Sequence, residues 1–170
     1  MTVTYRDAVP ADGPELDAMA QASWMETFGA YVSPEDIADY FAGTYGPDGA
    51  LIRELGDPER RTYVAVDAGK IVGYTKLIPP WLPDAEPSAL QLSQIYVASS
   101  HHGRGVAGVL MDWTIATARA AGAPALLLTV WENNPRARRF YDRVGFVHIG
   151  DYAFRVGDQV DTDHVMRLAL

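Results

Sequence analysis

The chain contains no cysteine. That excludes disulfides, thiolate metal sites and a cysteine nucleophile. It is also poor in positive charge: 14 Lys and Arg stand against 22 Asp and Glu, for a formal net charge of −8 at pH 7. A general nucleic-acid or anionic-membrane surface needs a basic footprint, so neither nucleic acid nor membrane is expected as a partner. The acidic balance is compatible with a cationic substrate. No apolar run approaches the ~20 residues of a membrane span. The opening MTVTYRDAVPADGPE has neither the basic nor the apolar stretch of a signal peptide. The expected location is therefore the cytoplasm. His101 and His102 by themselves make a poor metal site, and the pattern offers no third ligand, so no metal is expected.

What is present is enough for one domain. The chain has 170 residues, 48% of them hydrophobic, which suits a single domain over 1–170 with one sizeable core. VTYRDA (3–8) reads as a strand. A helix follows, with Asp12 as cap, Pro14 and Glu15 in the first turn and Gly29 at its end. Ser33-Pro34-Glu35-Asp36 opens a second helix whose apolar face is Ile37, Tyr40 and Phe41, and 49–55 suits a short third. Residues 61–67 and 70–77 read as strands joined by a tight turn at Ala68-Gly69, and 89–97 as a further strand. Val106, Val109, Leu110, Trp113, Ala116 and Ala120 mark an amphipathic helix. ALLLTV (125–130) is a strand covered on both faces. Asn134 and Pro135 start a last helix with Ala137, Phe140, Tyr141 and Val144 inward, before two closing strands. The order β, two or three helices, βββ, α, β, α, ββ describes an α+β domain with a mixed sheet. Exposed strand edges near the C-terminus are compatible with a homodimer.

Residues 101–108, HHGRGVAG, hold the pattern G-x-G-x-x-G in Gly103, Gly105 and Gly108. A dinucleotide turn should follow the first strand of a βαβ unit and have an acidic residue about 20 positions on. Here the glycines lie past the middle of the chain, and Ala120 to Trp131 contains no carboxylate. A P-loop needs Gly-Lys-Ser/Thr, which is absent, and no kinase-type lysine strand or catalytic loop accompanies the glycines. What remains is a loop that offers backbone N–H groups and a helix N-terminus to some other phosphate.

The span LQLSQIYVASSHHGRGVAGVLM with LLLTVWENNPRARRFYDRVGF resembles the GNAT superfamily of N-acetyltransferases. The family's loop, Arg/Gln-x-x-Gly-x-Gly/Ala, falls on 102–107. Its second signature is met by Asn134, Ala137, Tyr141, Gly145 and Phe146. The C-terminal part is similar to the PaiA-type polyamine acetyltransferases, through Trp-Glu-x-Asn and the ending Gly157, Asp158, Thr162, Asp163 and Met166. METF (25–28) and Ser33-Pro34-Glu35 match as well.

This resemblance implies a GNAT-type fold: a mixed, mostly antiparallel sheet flanked by helices, with splayed central strands. It implies acetyl-CoA as co-substrate and a small-molecule amine as acceptor, with spermidine-like polyamines favoured. An aminoglycoside, an amino acid or a protein N-terminus are alternatives, as is a CoA-binding regulatory module without turnover. By resemblance the pyrophosphate sits on the N–H groups of His102, Gly103, Arg104, Gly105, Val106, Ala107 and Gly108. The pantetheine arm runs along Ile95, Tyr96 and Val97. A free N–H near Tyr96 or Val97 polarises the thioester carbonyl. Asn134 caps its helix and contacts CoA, and Tyr141 protonates the departing thiolate. Arg136 and Arg139 reach the nucleotide phosphates or form a solvated helix face. The family's glutamate before the loop is replaced here by Gln91, Ser93 and Gln94, so the base is unassigned among Glu26, Glu35, Asp39, Glu86, Glu132 and water. Glu26 and Glu35, on the early helices, are candidates to bind a cationic amine.

Overall fold

The computed structural model describes residues 2–170. Strand β1 (Thr4–Asp7) leads through a short 3-10 turn (Pro10–Asp12) into α1 (Gly13–Phe28), α2 (Pro34–Thr44) and α3 (Ala50–Arg53). Strands β2 (Arg61–Asp67), β3 (Lys70–Ile78) and β4 (Leu90–Val97) follow, then α4 (Val106–Ala120), β5 (Ala125–Trp131), α5 (Pro135–Val144), β6 (Val147–Val156) and β7 (Gln159–Ala169). The strands form one sheet in the order β1-β2-β3-β4-β5-β7-β6. Every adjacent pair is antiparallel except β4–β5, which is parallel. This is the mixed α+β arrangement expected from the sequence.

Side-chain alternation along the strands assigns the helices to faces. Val64, Ile71 and Tyr74 point to one face, where they pack with Leu16, Ala20 and Trp24 of α1 and with α2 and α3. Ala65 and Val72 point to the other face, against Val106 and Leu110 of α4. Leu126, Leu128 and Val130 continue that second face and meet Met111 and Ala118 of α4 and Tyr141 of α5. The Ala68-Gly69 turn has positive φ at both residues, as a tight hairpin of this twist requires.

Three local expectations fare differently. The Ser33 hydroxyl accepts the Asp36 N–H at 3.1 Å, and Asn134 Oδ1 accepts the Ala137 N–H at 3.2 Å, so both caps form. Asp12 does not cap α1. Its own backbone is already helical (φ −74, ψ −15), which turns the side chain away from the helix start. Asp12 instead accepts the Val9 N–H at 2.8 Å and both Arg6 guanidinium nitrogens at 2.7 Å.

The inner stripe of α4 also differs from the sequence reading. Val109 is 42% exposed, and Ala116 and Ala120 face solvent. The buried positions are Val106, Leu110, Met111, Thr114 and Ala118. The stripe is rotated because a threonine lies at its centre. Thr114 donates to the Leu110 carbonyl at 2.9 Å, and its oxygen meets the hydroxyl of Thr75 on β3 at 2.8 Å, both side chains being fully buried. Close approach of α4 to β3 also needs Gly73, since a Cβ there would lie 3.1 Å from the Tyr96 carbonyl and 3.3 Å from Leu110 and Val106.

The Thr75–Thr114 pair yields an asymmetric prediction. Thr114 gives its proton to Leu110, so Thr75 is the donor between the two hydroxyls. Thr114→Val strands that buried donor and should cost about 1–3 kcal/mol. Thr75→Val leaves Thr114 bonded to Leu110 and should cost less. Urea unfolding of both variants measures the difference; equal losses would refute the assignment of donor and acceptor.

Candidate active site

Strands β4 and β5 pair only through Leu90↔Leu126 and Gln91↔Leu127. Beyond that point they diverge, and a cleft of about 1290 Å³ opens between them. Thr129 and Val130, neighbours that point to opposite faces of β5, both line it, so the cleft passes through the sheet. The open flank of β4 can be read from its pairing with β3. Ala98 N–H donates to the Val72 carbonyl at 2.8 Å. Antiparallel pairs alternate, so Tyr96 directs its N–H and C=O to Tyr74 on β3, while Ile95 and Val97 direct theirs into the cleft. Of the backbone groups expected on the sequence to serve a ligand, those of Ile95 and the N–H of Val97 are thus available, and those of Tyr96 are used by β3. The Tyr96 side chain instead points to the α1 face, its ring 5.9 Å from Tyr74.

The glycine loop sits at the end of this open strand and is tied down by two histidines. His101 is 9% exposed; Nε2 lies 2.9 Å from Asp67 Oδ2 at the end of β2, and Nδ1 lies 2.9 Å from Ser100 Oγ. His102 Nε2 donates to the Val97 carbonyl at 2.7 Å. That contact explains a histidine at this position: the ring joins the loop to the open edge of β4. Gly103 (φ +74) and Gly105 (φ +81) hold left-handed backbone, and a Cβ on either would meet nothing within 4 Å. Steric room beside them and left-handed φ together describe a loop shaped to let something approach its backbone. Val109 N–H is bonded to the Gly105 carbonyl, so the first-turn N–H groups of Val106, Ala107 and Gly108 have no partner inside α4. Among the described residues, the N–H groups of Gly103, Arg104 and Gly105 also lack a protein acceptor. An anion fits this cradle through fixed donors and the helix dipole. Gly103, Gly105, Val106, Ala107 and Gly108 line the cleft, whereas the Arg104 side chain is exposed and outside the lining.

Across the cleft, α5 presents Asn134, Arg136 and Tyr141 to the lining, while Arg139 faces solvent outside it. Oδ1 of Asn134 is engaged by its capping bond from Ala137. Tyr141 is 8% exposed and packs against Phe140 and Phe146. Burial pushes its phenol above the ordinary tyrosine value, so the group holds its proton throughout the neutral range.

The opposite half of the cleft, under α1 and α2, is aromatic and acidic. Trp24 packs against Phe28, Tyr40 and Phe41, and Phe28 reaches Trp131 of β5 with ring centroids 5.6 Å apart. Of the carboxylates expected on the sequence, only Glu26 lines the cleft, where it accepts from Ser99 Oγ at 3.3 Å. Glu35 and Asp39 are exposed on α2 outside the lining, and Glu132 is exposed beyond β5. Glu86 is held by the guanidinium of Arg167 at 2.6 and 3.1 Å, which lowers its pKa. Gln91 and Gln94 are structural: Gln91 Oε1 accepts the Trp81 N–H at 3.2 Å, and Gln94 donates to Tyr45 Oη at 3.4 Å.

One carboxylate was not singled out for chemistry by the sequence. Asp163 of β7 is 7% exposed, lines the cleft, and lies directly across from Trp131. Burial pushes its carboxyl up to about 6, opposed by a hydrogen bond from Thr129 and reinforced by Asp161 and Glu132. In the sequence it marked only a shared C-terminal motif. Nothing local in DTD identifies it as the buried member, because burial comes from the neighbouring strands.

The model of the Acetyltransferase (GNAT) family matches residues 16–146. An uncharacterized N-acetyltransferase of Lactobacillus delbrueckii subsp. lactis is 31% identical over 161 residues, covering 94% of this chain and 92% of its own. Streptothricin acetyltransferase of Streptomyces lavendulae is 33% identical over 183 residues, covering 99% and 95%. In fold, the chain is similar to the PaiA N-acetyltransferase of Thermoplasma acidophilum in complex with coenzyme A, with a TM-score of 0.79, 17% identity and 100% of both chains covered.

The loop gives a direct test. Gly105→Ala meets no clash but forces a side chain into left-handed φ, at a cost of about 1–2 kcal/mol. The variant should fold with a slightly lower Tm and lose most of the thermal stabilisation that CoA confers on the wild type. Full retention of the CoA-dependent shift would show that the loop backbone is not the phosphate cradle.

Proposed function

This chain belongs to the GNAT acetyltransferase family, is an acetyl-CoA-dependent acetyltransferase on that ground, and we propose that its acceptor is the primary amine of a small cation, a polyamine such as spermidine being favoured. The observation that supports this acceptor is the half of the cleft under α1 and α2. There Trp24, Phe28, Tyr40 and Trp131 offer aromatic faces beside the carboxylates Glu26 and Asp163. Aromatic faces attract ammonium groups, more strongly when desolvated, and carboxylates add charge complementarity. The similarity to PaiA-type proteins in the C-terminal third points the same way. A second reading has its own support: the relative named streptothricin acetyltransferase aligns along 99% of this chain, so streptothricin is a specific alternative acceptor.

The residues present fit CoA. Gly103 and Gly105 leave room beside unbonded N–H groups for a pyrophosphate, and the cleft-facing groups of Ile95 with the N–H of Val97 offer strand-like pairing to an extended amide chain. Bound acetyl-CoA supplies an acyl carbon activated as a thioester. The Val97 N–H, fixed at the divergence of the strands, is the donor for the negative charge that develops on the acyl oxygen. Tyr141 serves the departing sulfur. Its phenol is less acidic than a thiol of pKa about 8.5, so its part is a hydrogen bond that strengthens as charge grows on sulfur, with the proton following as the new amide nitrogen releases its own. With no cysteine in the chain, transfer is direct, in a ternary complex.

Tyr141→Phe should lower kcat by roughly 10²-fold or more in a thiol-release assay with acetyl-CoA and the amine that the wild type uses, with CoA binding retained. Unchanged kcat would remove Tyr141 from the chemistry. The acceptor itself is tested by comparing spermidine, streptothricin, an aminoglycoside and amino acids at equal concentration. The highest kcat/KM is expected for spermidine. No thiol release from any amine would leave a CoA-binding module as the better reading.

A further inference from the structure

Asp163 is a buried carboxylate without a cation. Its carboxyl faces the Thr129 hydroxyl on β5, Asp161 on its own strand, Glu132 just past β5, and the phenols of Tyr40 on α2 and Tyr96 on β4. No lysine or arginine is among the groups that act on it. Buried charges are ordinarily paired, because desolvation of a lone carboxylate is costly. Here the side that lacks a partner is the cleft. The missing positive charge is therefore one that a ligand brings.

Position adds to this. Asp163 and Trp131 are cross-strand neighbours on the face covered by α1 and α2, whereas Tyr141 stands on the other face with α4 and α5. The Tyr96 phenol lies within electrostatic reach of both Tyr141 and Asp163. The two groups thus approach one opening in the sheet from opposite sides. The arrangement suits a reaction in which the amine arrives from one face and the sulfur departs on the other. Among the carboxylates weighed on the sequence, Glu26 is exposed and already bonded to Ser99, and the others lie outside the cleft.

We propose that Asp163 is the proton acceptor for the incoming ammonium, an assignment that rests on the amine-acetylation reading above. The ammonium gives one proton to the Asp163 carboxylate. The freed nitrogen lone pair forms the N–C bond to the acyl carbon, and the C–S bond breaks with its electron pair going to sulfur. The nitrogen's second proton balances the one taken up by sulfur through Tyr141. Asp163 then returns its proton to solvent. The net change is ammonium plus acetyl-CoA to amide, CoA thiol and one proton. A carboxyl that titrates near 6 is ionised at pH 7 yet basic enough to receive that proton, as a base working near neutrality requires.

The sign of the stability effect follows from the same environment. A carboxyl at about 6 when folded, against its ordinary 3.8, binds its proton more tightly in the native state. The destabilising contribution of Asp163 should therefore fade as pH falls from above 6 to below 4. Asp163→Asn should melt higher than wild type at pH 8, with the gap closing below pH 4.

The deciding measurement is the pH profile of kcat for wild type and Asp163→Asn with one amine that the wild type acetylates. Wild-type kcat should rise with a midpoint near 6 and then level off. Asp163→Asn should be slower by roughly 10²-fold or more at pH 7, and its kcat should climb about tenfold per pH unit up to pH 9 as hydroxide replaces the lost base. The CoA-dependent thermal shift should be unchanged. A variant profile of wild-type shape, or a rise in amine KM with kcat preserved, overturns Asp163 as base while leaving acetyl transfer intact. Should the variant fail to fold, absence of a wild-type limb between pH 5 and 7 overturns it equally. No turnover by wild type on any amine overturns the acetyl-transfer reading and this assignment with it.

Discussion

Everything at this site depends on the short pairing of β4 with β5. Two residue pairs join the strands, and then the ladder stops. A parallel pair held along its whole length would satisfy the backbone of β4 on both edges and close the sheet. Stopping it early leaves Ile95 and Val97 with backbone groups facing a cleft and gives access from both faces at once. An unpaired buried backbone group is costly, so this opening calls for a ligand whose own amides complete the ladder. The extended arm of CoA is a ligand of that kind.

The opening would be of little use if the glycine loop beside it moved. Several contacts hold the loop and α4 in place. Gly73 lets the helix sit close to β3, and the Thr75–Thr114 hydroxyl pair sets its rotation. His101 ties the loop to Asp67 at the far end of β2, and His102 ties it to the Val97 carbonyl. The two adjacent histidines thus have mechanical roles in the free protein. The one on Val97 also places an imidazole next to the backbone that a pantetheine arm would pair with.

The caps at Ser33 and Asn134, the hairpin at Ala68-Gly69, the glycine loop and the order of elements were legible because each is set by residues a few positions apart. Asp12 and the α4 stripe were misread for different reasons. Asp12 is drawn from the cap by its helical backbone and by Arg6 and Val9 just before it, a conformation the residue types alone do not reveal, and the partner of Thr114 is supplied by Thr75, far back in the sequence. Exposure of Glu35 and engagement of Glu86 by Arg167 are equally invisible in a list of carboxylates. The same applies to the backbone of Tyr96, whose pairing with β3 depends on a register that no local pattern reveals.

The sequence by itself pointed to the class of chemistry, through the resemblance of its glycine loop and following helix to the GNAT family. Cysteine is absent, glycines precede a helix, and Asn134 and Tyr141 stand at fixed spacing on the next one. Those features are local, and their backbone and capping physics does not depend on the rest of the chain. The tertiary structure alone decided which groups line the cleft and which are buried there. Burial, desolvation and the loss of a neighbouring cation are properties of a packed environment, so Asp163 became distinct from Asp161 and from the other 20 acidic residues only once β5, β6 and the helices closed around it.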